Sequence, residues 1–447
     1  MIFNPQGHSA KQFGKFKFYI DGRSLTIADS YVYLGLVFKP SGAVSAASQE
    51  LLTKANKAWF AISNTVYQNK KMSITKALQL VDSLVTPISL YACEFWTPYS
   101  IPTKYLNNSE SLLKFWENFL PETLNQRICR MLLSVHKKSS CLAVIGEIAR
   151  YPFFLKALIQ SLKYDWHLRN ENSSSLVQSA LYEMDTQAHQ GNTNWSYIMD
   201  HIKKLLSIPK LHYSLPIKKV GKLFTKYVHS HFESFYLQQI NKQSIGEDGL
   251  DHNKLRFYKH FKGSFTREPY LNLTVNRNQR SSLTRLRISA HHLALETGRW
   301  RKPKPIPLDE RVCRYCSSGL IDDEKHFLLK CNTFRNKTRC FESKLSSLIP
   351  WYNSLADSAK LATILCPTSG PAAKLANKYI NILFKARTSI DNGEHISNLT
   401  FPPNIEHFSS DEFDLSNMSH LTTSDSDLSL SDNSSTFDEI DIDCDIL

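Results

Sequence analysis

Glycine is scarce, with 15 in 447 residues. That is too few for a large, turn-rich β architecture, which uses glycine wherever φ must be positive. No apolar run approaches the roughly 18 residues a bilayer-spanning helix needs, which excludes that class of membrane protein. The opening MIFNPQGHSAKQF has no apolar core and does not read as a secretory leader. Cys93, Cys129, Cys141, Cys340, Cys366 and Cys444 fall at irregular spacings, so they are expected to be reduced intracellular thiols rather than a disulfide framework. There is no Gly-rich phosphate loop, no G-x-S-x-G elbow and no nucleophile–base pairing that sequence alone supports. Lys and Arg are missing altogether from Ser409 to Leu447, where eleven Asp or Glu stand.

That last absence sharpens what remains. The chain carries a net charge of +13, and setting aside the eleven tail acids leaves +24 on residues 1–408. So basic a body implies a polyanionic partner, most economically nucleic acid. The Ser- and Asp-rich, aromatic-poor tail is expected to be disordered and to offer a site for a protein partner.

Periodicity gives a mainly α chain with a small N-terminal β region. Phe16, Phe18 and Ile20 alternate with Lys15, Lys17 and Tyr19, and Asp21-Gly22 is a hairpin signal. With a further strand from Tyr31 to Phe38, three short strands make a thin sheet. Helical stripes follow at Ser45–Tyr67, Ser73–Val85, Ser89–Trp96, from Pro121-Glu122 onward, Leu142–Arg150 and Phe153–Asn170. After a polar break at Glu171–Ser175 come helices at Trp195–Leu206 and Lys218–Ile240, a loop from Asn241 to Lys254, and closing helices at Phe334–Leu348 and Ala372–Arg387.

RVCRYCSSGLIDDEKHFLLKCNTFR, residues 311–335, contains the most specific signal. Cys313, Cys316, His326 and Cys331 are spaced C-x2-C-x9-H-x4-C. Two thiolates two residues apart grip one face of a Zn²⁺ ion, and a histidine and third cysteine five apart reach the other. Three sulfurs and one nitrogen close a tetrahedral shell with no position left for water, so the site is structural. The order and the short last step are those of a zinc knuckle, with a longer middle than retroviral ones have. Ile321-Asp322-Asp323-Glu324, lying between the ligands, reads as a solvated turn rather than paired catalytic carboxylates.

Just before the knuckle, Arg277, Arg280, Arg285, Arg287, Arg299, Arg301, Lys302, Lys304 and Arg311 crowd together. LTRLRISAHHLAL reads as one helix with Leu286, Leu293 and Leu295 packed and Arg285, His291 and His292 facing out. Planar guanidinium groups suit phosphate, so Arg285, Arg287, Arg299, Arg301, Lys302, Lys304 and Arg311 are the candidate nucleic-acid contacts. Phe257, Tyr258, Phe261, Phe265 and Tyr270 are either base-stacking rings or core. His291-His292 and His229-Ser230-His231 lack cysteine or carboxylate partners at helical spacing and read as solvated positions.

These phrases, in this order, resemble the C-terminal part of a non-LTR (LINE-type) retrotransposon reverse transcriptase. Met1–Asn4, the hairpin Phe16–Ile27 and Tyr31-Val32-Tyr33-Leu34-Gly35 are similar to the end of its palm, with Tyr33, Leu34 and Gly35 at the primer grip. LVDSLVTPISLYACEFW and VHKKSSCLAVIGEIARYPFFLKAL are similar to its helical thumb. KLRFYKHFKGSFTREPYL, LTRLRISAHHLALETGRW and the knuckle match the region that follows. The resemblance, covering about residues 1–390, implies a palm remnant at 1–40, a thumb at 41–170, a helical connector at 171–254, a basic region with knuckle and closing helices at 255–390, and the acidic tail at 391–447. It further implies RNA or an RNA–DNA duplex as partner, an intracellular and preferentially nuclear location, and no membrane. The family's F/Y-x-D-D motif, whose aspartates hold two Mg²⁺ ions, has no counterpart here, since Asp322-Asp323 is the only Asp-Asp pair. The expectation is therefore a binding fragment without its own catalytic centre, to which Mg²⁺ matters only if a palm is supplied from elsewhere.

Overall fold

Short polar residues placed just ahead of apolar stripes set five of the helix starts. Ser73, Asn108, Ser140, Asn194 and Ser369 each accept the backbone N–H three residues on, at 2.7 to 3.4 Å. The computed structural model describes residues 17–393, apart from 26–27, 29, 40–43, 70–71, 171–175, 212–214, 246–250 and 274–276. Met1–Asn4, the polar break at 171–175 and the acidic tail from 394 onward lie outside the described residues. The chain is mainly helical, with two small antiparallel β-hairpins ahead of the helices.

Those hairpins differ from the expected three-stranded sheet. Phe18–Ile20 pairs with Arg23–Leu25, and Tyr31–Tyr33 pairs with Leu36–Phe38. Tyr31–Phe38 is thus two strands, because Leu34 and Gly35 take φ of 46° and 82° and turn the chain back on itself. Asp21-Gly22 does the same in the first hairpin, at 49° and 76°. Both are the two-residue turns whose twist matches paired strands, with glycine where a left-handed φ costs least. Only Leu36 of the second hairpin is buried, and its strand packs on helix Ser45–Gln68.

The long helices follow their stripes. Ser45–Gln68 buries Leu51, Leu52, Ala55, Trp59 and Val66, Phe153–Asn170 has the expected bounds, and Ile217–Asn241 packs against it. Trp96 stacks on Phe119 at 5.6 Å, and Phe154 meets Phe115 edge-on at 5.2 Å. Such pairs add about 0.5–1.5 kcal/mol each beyond the area they bury. Helix Gly370–Asp391 closes the fold: Asn377 accepts the Leu283 N–H at 3.1 Å, and Tyr379 stacks on Phe341 at 4.0 Å. A connected cluster of buried side chains runs from Leu36 to Ala386, across the divisions expected at 170 and 254. Among the described residues no helix is long and apolar enough to cross a membrane.

Two expected helices are broken. The Ser89–Trp96 segment turns at Ala92, φ 50°, and its helix runs instead from Cys93 to Ser100. LTRLRISAHHLAL is helical only to Arg287. Ser289 adopts φ 53°, Ala290 N–H reaches back to Arg285 O at 2.8 Å, and helix resumes at Ala294–Thr297. This is a Schellman closure with serine in the position glycine usually holds. Ser289 is buried there, its hydroxyl 3.5 Å from Glu324.

Candidate metal centre and its basic approach

A short antiparallel bridge between Val312 and Ile321 begins the site. Cys313 N–H donates to Leu320 O, and Asp322 N–H to Arg311 O, each at 2.9 Å. The loop so closed carries Cys313 and Cys316. His326–Lys330 then forms a π-helical turn, capped by Asp323, which accepts the His326 N–H at 2.7 Å. Cys331 N–H closes the turn onto His326 O at 2.9 Å. This wider turn swings His326 and Cys331 toward the first two cysteines.

The four ligand-type atoms all lie within 4.8 Å of one another. Cys313 Sγ and Cys331 Sγ are 4.0 Å apart, and Cys316 Sγ is 3.4 Å from His326 Nε2. Cys313, His326 and Cys331 are buried, and His326 Nδ1 is buried without a hydrogen-bond partner, leaving Nε2 as the nitrogen turned to the thiols. The contact with Cys331 lowers the Cys313 thiol below its ordinary range, and the same contact raises Cys331. Cys313 in turn raises His326. A sulfur already inclined to lose its proton is what a metal requires. The group can hold a metal ion, and among the described residues it is the one Cys/His/carboxylate group so arranged. The other described cysteines form no disulfide.

The acidic run between the ligands is not a solvated turn. Asp322 is buried and accepts both prongs of Arg387, at 2.6 and 2.9 Å. Glu324 is buried against His291 Nε2 at 2.9 Å. His291 therefore faces inward, whereas His292 is exposed. The sequence missed Arg387 and Glu324 because their partners lie 65 and 33 residues away.

The candidate phosphate contacts divide sharply. Arg287 is fully buried. Its guanidinium donates to Glu147 and Glu268, each at 2.5 Å, and to Leu365 O at 2.6 Å, between the rings of Phe261 and Tyr270. Tyr258 and Tyr270 complete the shell of Glu147, and Lys262 that of Glu268. Tyr258, Phe265 and Tyr270 are accordingly core. Arg287 cannot reach a phosphate without taking the buried guanidinium away from Glu147 and Glu268, so its assignment as a nucleic-acid contact is corrected. Arg311 is also buried, donating to Ile306 O and Leu295 O at 2.9 Å. Arg285 donates to Ser134 O, and Arg299 to Glu296 and to His252 O; both are half-buried. Arg301, Lys302 and Lys304 are exposed. Tyr33, Leu34 and Gly35 are exposed at the second hairpin turn.

No family model, no curated protein and no solved structure matches the chain.

Proposed function

We propose that this chain is a nucleic-acid-binding segment of the kind that follows the palm in non-LTR retrotransposon reverse transcriptases. It holds RNA or an RNA–DNA duplex by phosphate contacts, and a structural Zn²⁺ fastens the surface that does so. The observation that carries the reading is the coupling of the Cys3His group to an exposed basic loop. Arg311 lies next to the bridge that frames Cys313, and its side chain holds Ile306 O and Leu295 O from beneath the 298–306 segment. That segment carries Arg301, Lys302 and Lys304 at the surface.

Zinc suits the donor set. Bonds of about 2.3 Å to sulfur and about 2.0 Å to nitrogen imply tetrahedral edges of roughly 3.8 Å between sulfurs and 3.5 Å from sulfur to nitrogen. The separations of 4.0 and 3.4 Å lie close to both. Three soft thiolates and an imidazole favour zinc over Mg²⁺ or Ca²⁺, which take oxygen. Further support comes from Glu147, Glu268 and Arg287, which belong to three of the phrases that carry the resemblance and meet in one buried ion cluster.

The test is binding of an RNA–DNA duplex across a salt series. Counterion release makes log affinity fall linearly with log salt. Replacing Arg301, Lys302 and Lys304 together by alanine lowers the slope by about one for each lost phosphate contact. Affinity that stays flat from low to physiological salt overturns the reading.

A second reading, a polymerase whose magnesium-binding aspartates sit on another segment or chain, is favoured by Tyr31, Val32, Tyr33 and Leu34. These four neighbouring apolar side chains stand in solvent, as they would if another part of a polymerase normally covered them. Neither Asp322 nor Asp323 is free to serve instead, since one is held by Arg387 and the other caps His326. Primer extension on a template by the chain alone would contradict both readings.

A further inference from the structure

Trp300 is left 57% exposed, although tryptophan is the side chain with most to gain from burial. It is not on a loose end. Gly298 O accepts the Ile306 N–H at 2.9 Å, closing the intervening residues into a loop. A Cβ at Gly298 would lie 2.8 Å from Cδ, Cγ and Nε of Arg311, so the loop rests directly on that side chain. Arg299 anchors it sideways by donating to His252 O at 2.8 Å and Glu296 at 3.1 Å. The indole is therefore presented on a fixed base.

The loop that carries the indole holds charge of one sign only. Residues 298–306 contain Arg299, Arg301, Lys302 and Lys304 and no acid. From a distant part of the chain, Lys138 places its ammonium 5.1 Å from the Trp300 ring centroid. Lys138 belongs to an exposed His136-Lys137-Lys138 turn after helix Glu122–Leu133. Its own carbonyl accepts the Lys254 ammonium at 3.1 Å, bringing a further cation to the same place. Among the described residues Arg301, Lys302 and Lys304 form no ion pair, which leaves them available to an outside anion.

A rigid exposed indole with cations on two sides is the arrangement that binds a nucleic-acid base by its face and the adjoining phosphates by charge. We infer that Trp300 is a stacking platform for an unpaired base of a single strand, with Lys137, Lys138, Arg301, Lys302 and Lys304 holding its flanking phosphates. This rests on the nucleic-acid reading above and goes beyond it, because a base inside a duplex is already stacked and has no free face to offer. Lys138 contributes twice, by reaching phosphate and by a cation–π contact that fixes the ring. The platform thus selects single-stranded stretches, while the general basic surface does not.

The test measures the affinity of the full chain for three probes: a short uridine RNA strand, an abasic strand of the same phosphate count, and an RNA–DNA duplex. The intact chain is expected to prefer the uridine strand over the abasic one by about tenfold, within the range of one stacked base. Trp300→Ala removes that preference and leaves duplex affinity and the salt slope unchanged, while Trp300→Phe keeps most of it. Lys138→Ala weakens all three probes. Metal content and unfolding midpoint stay as in the parent, since the side chain is at the surface. Equal affinity for uridine and abasic strands in the intact chain, unchanged by Trp300→Ala, overturns the platform and leaves phosphate binding standing. Failure of all three probes to bind overturns the underlying reading as well.

Discussion

Arg387 grips Asp322 through both nitrogen prongs, at 2.6 and 2.9 Å, and lies 3.9 Å from the sulfur of Cys313. Its guanidinium is also packed over Phe327 and Tyr315, at 4.6 and 4.5 Å from the ring centroids. The final helix thereby reaches into the metal loop and pins it between two cysteines. Both charges are buried, so removing one strands the other. Asp322→Ala or Arg387→Leu should cost about 3–5 kcal/mol in urea unfolding. Arg387→Lys should recover little, because an ammonium cannot span both carboxylate oxygens. A loss under about 1 kcal/mol would show that the pair does not hold the loop.

Arg287 and Arg301 make a contrasting pair. Both belong to the arginine-rich stretch ahead of the knuckle and are opposite in environment, one enclosed by Glu147 and Glu268 and the other in solvent. Arg287→Met should destabilise the fold by about 3–5 kcal/mol, since Glu147 loses its buried cation and Glu268 keeps only Lys262. Arg301→Ala should leave the unfolding midpoint within about 0.5 kcal/mol and reduce RNA affinity and its salt slope. The reverse pattern would mean that Arg287 faces ligand after all.

Glu122 gives stability a distinctive pH dependence. Burial raises its carboxyl from 4.5 to about 7, against hydrogen bonds from Asn125 and the Phe153 N–H that favour the charged form. The folded chain thus keeps a proton that the unfolded chain releases. Its contribution is fully present below pH 4.5 and is lost as pH rises toward about 7, roughly 3 kcal/mol in all. Asp82 behaves oppositely. Its burial would raise it, but Arg150 and Lys156 overcome that and hold it at about 2, so its contribution is lost only as pH falls below 3.8. Subtracting the Glu122→Gln stability profile from the parent's isolates the first effect. A difference that does not change between pH 4.5 and 7 would contradict it.

Much of this was legible in the primary structure, and the illegible parts share a cause. Phe153–Asn170 declared both its ends, and the spacing of Cys313, Cys316, His326 and Cys331 brought the right four residues together, because local periodicity and short ligand steps need no knowledge of the fold. The helix end at Ser289 was invisible, since it takes a left-handed φ of 53° without glycine to mark it. The Tyr31–Phe38 strand concealed a turn although Gly35 stands in it, because Leu34 takes the leading left-handed position. Charge was the least readable property. A run of arginines looks alike whether it faces phosphate or carboxylate, and Glu147 lies 140 residues from the Arg287 it neutralises. The Asp322–Glu324 run read as solvated for want of Arg387 and His291.

The account depends most on the Cys3His group acting as a zinc site that secures the basic loop. Metal analysis of the purified full chain tests this directly. One zinc per chain is predicted, falling close to zero in Cys313→Ser, with loss of RNA affinity on chelation. An intact, folded chain that carries no zinc and binds RNA equally well in the presence of chelator would contradict it.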